Sequence, residues 1–227
     1  VPHDRYLSAQ IQSQLRSGLE FLSEVVTRPY LEEGAFSSKY LLSAKESVQK
    51  IIQGLIDDKV RYAAERCVSL MCEKEPYGLF TYGFAVDLPG IDGYSLSQYY
   101  QQLLRENPID LFVVGEVQPQ EVEKWVQEFF ALERTNVRKL PPTQVVSHVA
   151  EVRQVVEEMN VTQGKLNLGL RTGIVYQDED YPALIVYNGV LGGFAHSKLF
   201  RNVREKASLA YYASSRIDSH KGIMTIQ

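Results

Sequence analysis

Arg204 and Tyr211 stand seven residues apart in the run Val203-Arg204-Glu205-Lys206-Ala207-Ser208-Leu209-Ala210-Tyr211. Their types suit one kind of chemistry. A planar guanidinium presents forked N–H donors that match a carboxylate or a peptide carbonyl. A phenol hydroxyl can donate to an oxyanion as a tetrahedral intermediate forms. Such a pair would hold a peptide and steady the charge that develops on it, yet neither residue breaks a bond alone. The plainer reading is structural: an Arg on a helix surface paired with Asp or Glu, and a Tyr half-buried on a strand.

Other chemistries find less support. A catalytic zinc needs three protein ligands, an open coordination position and a general base. On a helix that set is written His-x-x-Glu-His or His-Glu-x-x-His. The four histidines are His3, His148, His196 and His220, and none of them forms either motif. No Gly-x-Ser-x-Gly elbow, phosphate loop or Gly-x-Gly-x-x-Gly run is present. Cys67 and Cys72 are the only cysteines. On one helix they point about 140° apart, which disfavours bridging or joint metal ligation. They read as buried free thiols in a reducing cytosol. Gly192-Gly193 reads as a helix C-terminus that tolerates left-handed geometry.

Composition sets the frame for these residues. The 227 residues can hold one large domain or two small ones, and 44% hydrophobic residues can bury a sizeable core. A net charge of -4 argues against a nucleic-acid surface. No apolar run approaches the ~18 residues of a membrane span. Val1-Pro2-His3-Asp4 leads straight into a helical pattern without a signal peptide, so the expected location is cytoplasmic unless a leader has been removed.

The elements follow from periodicity. Ile11, Leu15, Leu19, Leu22 and Val26 recur at three- and four-residue steps, predicting a helix over 6–26 that Arg28-Pro29 ends. Further helices are expected over 38–56, over 59–72 with Asp58 as cap, and from a Ser95 cap to about 105. Leu111-Phe112-Val113-Val114 predicts a buried strand within 110–117. Pro119 then opens a helix whose face carries Val122, Trp125, Val126, Phe129 and Phe130. Pro141-Pro142 marks 133–147 as a linker. Beyond it, strands are expected over 152–160 and 165–175, helices over 178–191 and 197–206, and a strand over 208–218. His220-Lys221-Gly222 reads as a hairpin turn before a last strand over 223–227, and a chain that stops inside a strand reads as a fragment.

Several of these runs, taken in order, resemble the M16 (pitrilysin/insulinase-like) zinc peptidases. Residues 197–206 followed by Leu209-Ala210-Tyr211 are similar to the M16 segment in which a small helix leads to an Arg/Tyr pair, and Gly189-Val190-Leu191-Gly192-Gly193 fits the stretch before it. Glu75-Pro76-Tyr77-Gly78 followed by Gly83 resembles the family's Pro-Tyr-Gly…Gly stretch. Leu111-Phe112-Val113-Val114-Gly115 resembles the last strand of its N-terminal half.

The resemblance implies an α+β fold made of parts of two homologous M16 halves, each an antiparallel sheet packed with helices, joined by a linker. Residues 1–132 would be the later part of the first half, 133–147 the linker, and 148–227 the earlier part of the second. The zinc helix would precede Val1, and its third ligand, a Glu, should fall ahead of Asp57-Asp58. Ile51-Ile52-Gln53-Gly54-Leu55-Ile56 holds no carboxylate there, and Glu46 lies about two turns too early. The pattern is most similar to non-catalytic subunits of bacterial M16B peptidases, including the YmfF-like group. That implies no cofactor in this chain, zinc in a catalytic M16 partner of a heterodimer (or a homodimer), a peptide substrate, and substrate binding by Arg204 and Tyr211. Two other expectations stand beside it: a fragment of an active M16 peptidase using Glu46, and a purely structural M16-fold subunit.

Overall fold

The computed structural model describes residues 14–227. The opening turns of the first expected helix, and His3, lie outside them. The chain packs as two compact units. One takes the described residues up to Ser47 together with Val86–Pro141, the other Val48–Ala85 together with Pro142–Gln227.

In the first unit, α1 (Gln14–Thr27) packs along α5 (Pro119–Phe129). Leu19 and Ser23 are buried on α1, and the Ser23 hydroxyl donates to the Phe129 carbonyl. Leu22 was expected on the inner face but is 41% exposed, because the buried line runs through Ser23 instead. The face of α5 matches its pattern: Val122, Trp125, Val126, Phe129 and Phe130 are the partly buried positions. Between Pro29 and α2 (Ser38–Asp57) lies a small hairpin, β1 (Leu31–Glu32) with β2 (Ala35–Phe36). Glu33 and Gly34 have φ of 51° and 82°, the two positive values that a tight primed turn requires.

The cap of α4 (Gly93–Glu106) is Asp92, not Ser95. The Asp92 carboxylate accepts from the Tyr94 and Ser95 amides at 2.9 and 2.8 Å. Asp is as strong a cap as Ser, and Gly93 admits helical geometry directly after it. A strand within 110–117 does not form. Phe112 is 86% exposed and Val114 97%, and no ladder forms there among the described residues. An apolar run becomes a strand only when a neighbouring backbone pairs with it.

The second unit holds a three-stranded antiparallel sheet in the order β3 (Leu168–Arg171), β5 (Ile223–Ile226), β4 (Ser215–Asp218). The last strand is therefore central, paired on both sides. The expected hairpin joins β4 to β5, with Gly222 at φ 61° in its turn. Ile223 and Met224 are 2% and 3% exposed; neighbours on a strand face opposite ways, so both faces of β5 are covered there. The helix α3 (Lys59–Met71) packs on β3, and Asp58 caps it as expected, accepting from the Arg61 amide at 3.1 Å.

The Glu75-Pro76-Tyr77-Gly78 stretch ties the end of α3 to the sheet. Glu75 forms a two-pronged ion pair with Arg171, whose side chain is only 4% exposed, and Arg171 also donates to the Met71 carbonyl at 2.8 Å. The Tyr77 hydroxyl donates to Asp218, and burial first, then that carboxylate, pushes its phenol pKa up. Residues 152–160 do not form the expected strand, and Val152 is 97% exposed. Side chains fasten them instead: Arg153 pairs with Glu73, and Glu157 with Arg66 and Tyr62. The whole is an α+β assembly of helices with small antiparallel sheets.

Candidate functional site

The site is built on one stretch of the second unit. Helix α6 (Tyr181–Asn188) runs directly into a wider π-helical turn, Gly189–Gly193. Gly192 is not a left-handed terminus. A Cβ there would come within 2.5 Å of the Ser215 amide nitrogen, so the glycine lets the turn press against β4. Asn188 anchors the same junction, its Oδ1 accepting from the buried Ser215 hydroxyl at 2.8 Å.

After a short turn, Ser197 starts the next helix. It is 1% exposed; its hydroxyl accepts from the Phe200 amide at 3.3 Å and its carbonyl from the Arg201 amide at 3.0 Å. The helix widens over Phe200–Lys206, and the Ala207 amide reaches back five residues to the Asn202 carbonyl. Ser208 then takes a φ of 50°, the left-handed conformation that reverses a chain at a helix end. The Leu209 amide closes the turn on the Val203 carbonyl at 3.0 Å. This reversal is why residues seven apart meet: it brings Tyr211 back alongside Arg204.

The contact is through faces. The Arg204 guanidinium carbon lies 4.6 Å from the centre of the Phe200 ring and 5.4 Å from that of Tyr211. Both distances are within the range of cation–π attraction, about 0.5–1 kcal/mol each where water reaches them. Rings that hold a guanidinium by its face leave its in-plane N–H groups free to donate outward. Arg204 has no carboxylate partner among the described residues. Tyr211 is 86% exposed and lies before β4, not on a strand as its pattern suggested. The expected strand over 208–218 is confined to Ser215–Asp218 because the left-handed Ser208 and the return along the helix use up the earlier residues.

The pair lines an open cleft of about 810 Å³ together with Asn188, Phe194, Phe200 and Tyr212. Phe200 is the member that sequence reasoning missed. The signal was present: an aromatic four residues before an Arg on a helix places ring and cation one turn apart.

The other candidates are dispersed. His148 sits beside the Ser147 hydroxyl, His196 against the Phe194 ring and His220 against Tyr176. Glu46 is exposed on α2. Among the described residues no three His, Cys, Asp or Glu gather as metal ligands, so these residues do not fit a zinc centre. Cys67 and Cys72 are unbridged, and burial pushes both thiols up and away from reactivity. No helix among the described residues is long and apolar enough to cross a membrane.

Residues 91–227 match the family model described as the peptidase M16 inactive domain. The chain is 42% identical over 226 residues to the probable inactive metalloprotease YmfF of Bacillus subtilis, covering all of this chain and 53% of that protein. It therefore spans about half the length of this curated relative. A crystal structure of a conserved protein from Enterococcus faecalis matches with a TM-score of 0.84 at 34% identity, over all of this chain and 53% of that one. The peptidase M16 inactive domain from Pseudomonas fluorescens matches with a TM-score of 0.63 at 19% identity, over 94% of this chain and 50% of that one, a likeness of fold.

Proposed function

The chain belongs to the peptidase M16 family, with an inactive M16 domain over residues 91–227, and we propose that it serves as a non-catalytic part of an M16 zinc metallopeptidase that grips the peptide. In this reading Arg204 holds a carbonyl or carboxylate of the peptide, and the Tyr211 hydroxyl donates to the oxyanion as the peptide bond is attacked. The zinc belongs to a second M16 subunit. The pairing is a heterodimer with that catalytic chain, and the setting is the bacterial cytoplasm, where unbridged Cys67 and Cys72 remain thiols.

One observation carries this reading. Arg204 is held by the faces of two rings, not neutralised by a carboxylate, and it lines an open cleft of about 810 Å³. Five other arginines here pair with Asp or Glu, and Arg134 donates to the Leu104 and Asn107 carbonyls, whereas the partners that hold Arg204 are rings. The chemistry divides between the two residues. Binding by Arg204 operates in ground and transition states alike, whereas a hydroxyl aimed at an oxyanion acts only in the transition state.

The test is kinetic. With this protein co-expressed beside a zinc-bearing M16 subunit of the same organism, Tyr211→Phe should lower kcat by about 10–100-fold with little change in KM. Arg204→Ala should raise KM by about 10-fold. Peptidase activity indifferent to both substitutions would leave only a structural role for the chain.

A further inference from the structure

A second cavity flanks the same helical segment on its other side. It has a volume of about 330 Å³ and is lined by Val190, His196, Lys198, Arg201, Asn202 and Lys206. The two cavities have no lining residue in common but are lined from the same stretch of chain. Val190 belongs to the π-turn whose Gly192 and Gly193 line the cleft, and His196 stacks at 5.7 Å on Phe194, which also lines it.

The charge of this cavity runs against the rest of the chain. The net charge is -4, yet three cations converge here and none has a carboxylate partner among the described residues. Like charges that share a cavity without a counter-ion raise each other's energy, and an anionic group brought among them relieves it. Lys206 lies in the last turn of the segment, where a cation also suits the helix dipole, but Lys198 and Arg201 stand before that turn.

We propose that Lys198, Arg201 and Lys206 form a specificity subsite for acidic side chains of the bound peptide, next to the Arg204/Tyr211 grip. This rests on the peptide-binding reading above and adds the substrate class, peptides rich in Asp and Glu. A carboxylate entering the cavity meets cations, and Asn202 and His196 supply further polar edges. The peptide must be long enough to pass around the helical segment that carries both sites.

The experiment measures fluorescence anisotropy of two labelled peptides of equal length, one containing Asp and Glu and one with Asn and Gln in their place. The unmodified chain should bind the acidic peptide about 10-fold more tightly at low salt, with the preference shrinking as salt rises. Lys198→Gln/Arg201→Gln/Lys206→Gln should abolish the preference while keeping the affinity for the neutral peptide; a far-ultraviolet spectrum and urea midpoint like those of the unmodified chain exclude misfolding. Equal binding of both peptides by the unmodified chain overturns the subsite and leaves the grip standing. An acidic preference that survives the triple substitution overturns the assignment to this cavity. If neither peptide binds at all, the peptide-binding reading itself fails and takes the subsite with it.

Discussion

At the scale of the residue, the site depends on three small facts: a ring one turn before Arg204, a left-handed Ser208, and a Tyr211 left exposed. Phe200 holds one face of the guanidinium, so Phe200→Leu should free Arg204 to wander and weaken peptide binding about 3-fold, read by anisotropy. A left-handed residue other than glycine costs about 1–2 kcal/mol. Ser208→Gly should therefore raise stability by up to about 1 kcal/mol, seen as a higher urea midpoint at unchanged slope. Glu157 offers a pH test. The Arg66 guanidinium foremost, with the Tyr62 hydroxyl, holds its carboxyl below the usual carboxylate range. A depressed acid contributes stability that is present above its unfolded value, near 4.3, and lost as pH falls through the lower folded value. Limited proteolysis within 148–161 should thus accelerate as pH drops below about 4.5. Glu157→Gln should make cleavage faster at neutral pH and much less dependent on acid.

At the scale of the element, the fastening of α3 to the sheet is the strongest structural claim. The Glu75–Arg171 pair is largely buried, and removing one partner strands a charge. Glu75→Ala should cost about 3–5 kcal/mol in urea unfolding, whereas the double change Glu75→Leu/Arg171→Met should cost far less. Most helices are legible in the sequence because they carry their own signals: Asp58 at a start, Arg28-Pro29 at an end, an apolar face on α5; the start of α4 is read three residues late, at Ser95 instead of Asp92. Strands were legible only in part. Residues 111–114 and 152–160 have the composition of strands, but a ladder needs a second backbone, and no window of sequence contains one. The hairpin at Glu33-Gly34 was overlooked because its strands are only two residues each.

At the scale of the whole molecule, the candidate site was half visible. Arg204 and Tyr211 stood out by type and spacing. That they meet, and through what, depended on the π-widened helix and the Ser208 reversal, neither of which has a periodic signature. The helical stretch does end at Gly193, as read, but without left-handed geometry; Gly192 serves a close approach to β4, a requirement set by a neighbour twenty-three residues away (Gly192 to Ser215). The outcome is an M16 chain that spans about half of a relative's length and presents a cation held open beside a cleft. Peptide binding by Arg204 and Tyr211 is measured most directly by titrating a labelled acidic peptide into the unmodified chain and into Arg204→Ala/Tyr211→Ala. Saturable binding to the first, weakened at least about 10-fold in the second with the fold intact, is the expected result. Equal affinity for both proteins would contradict it.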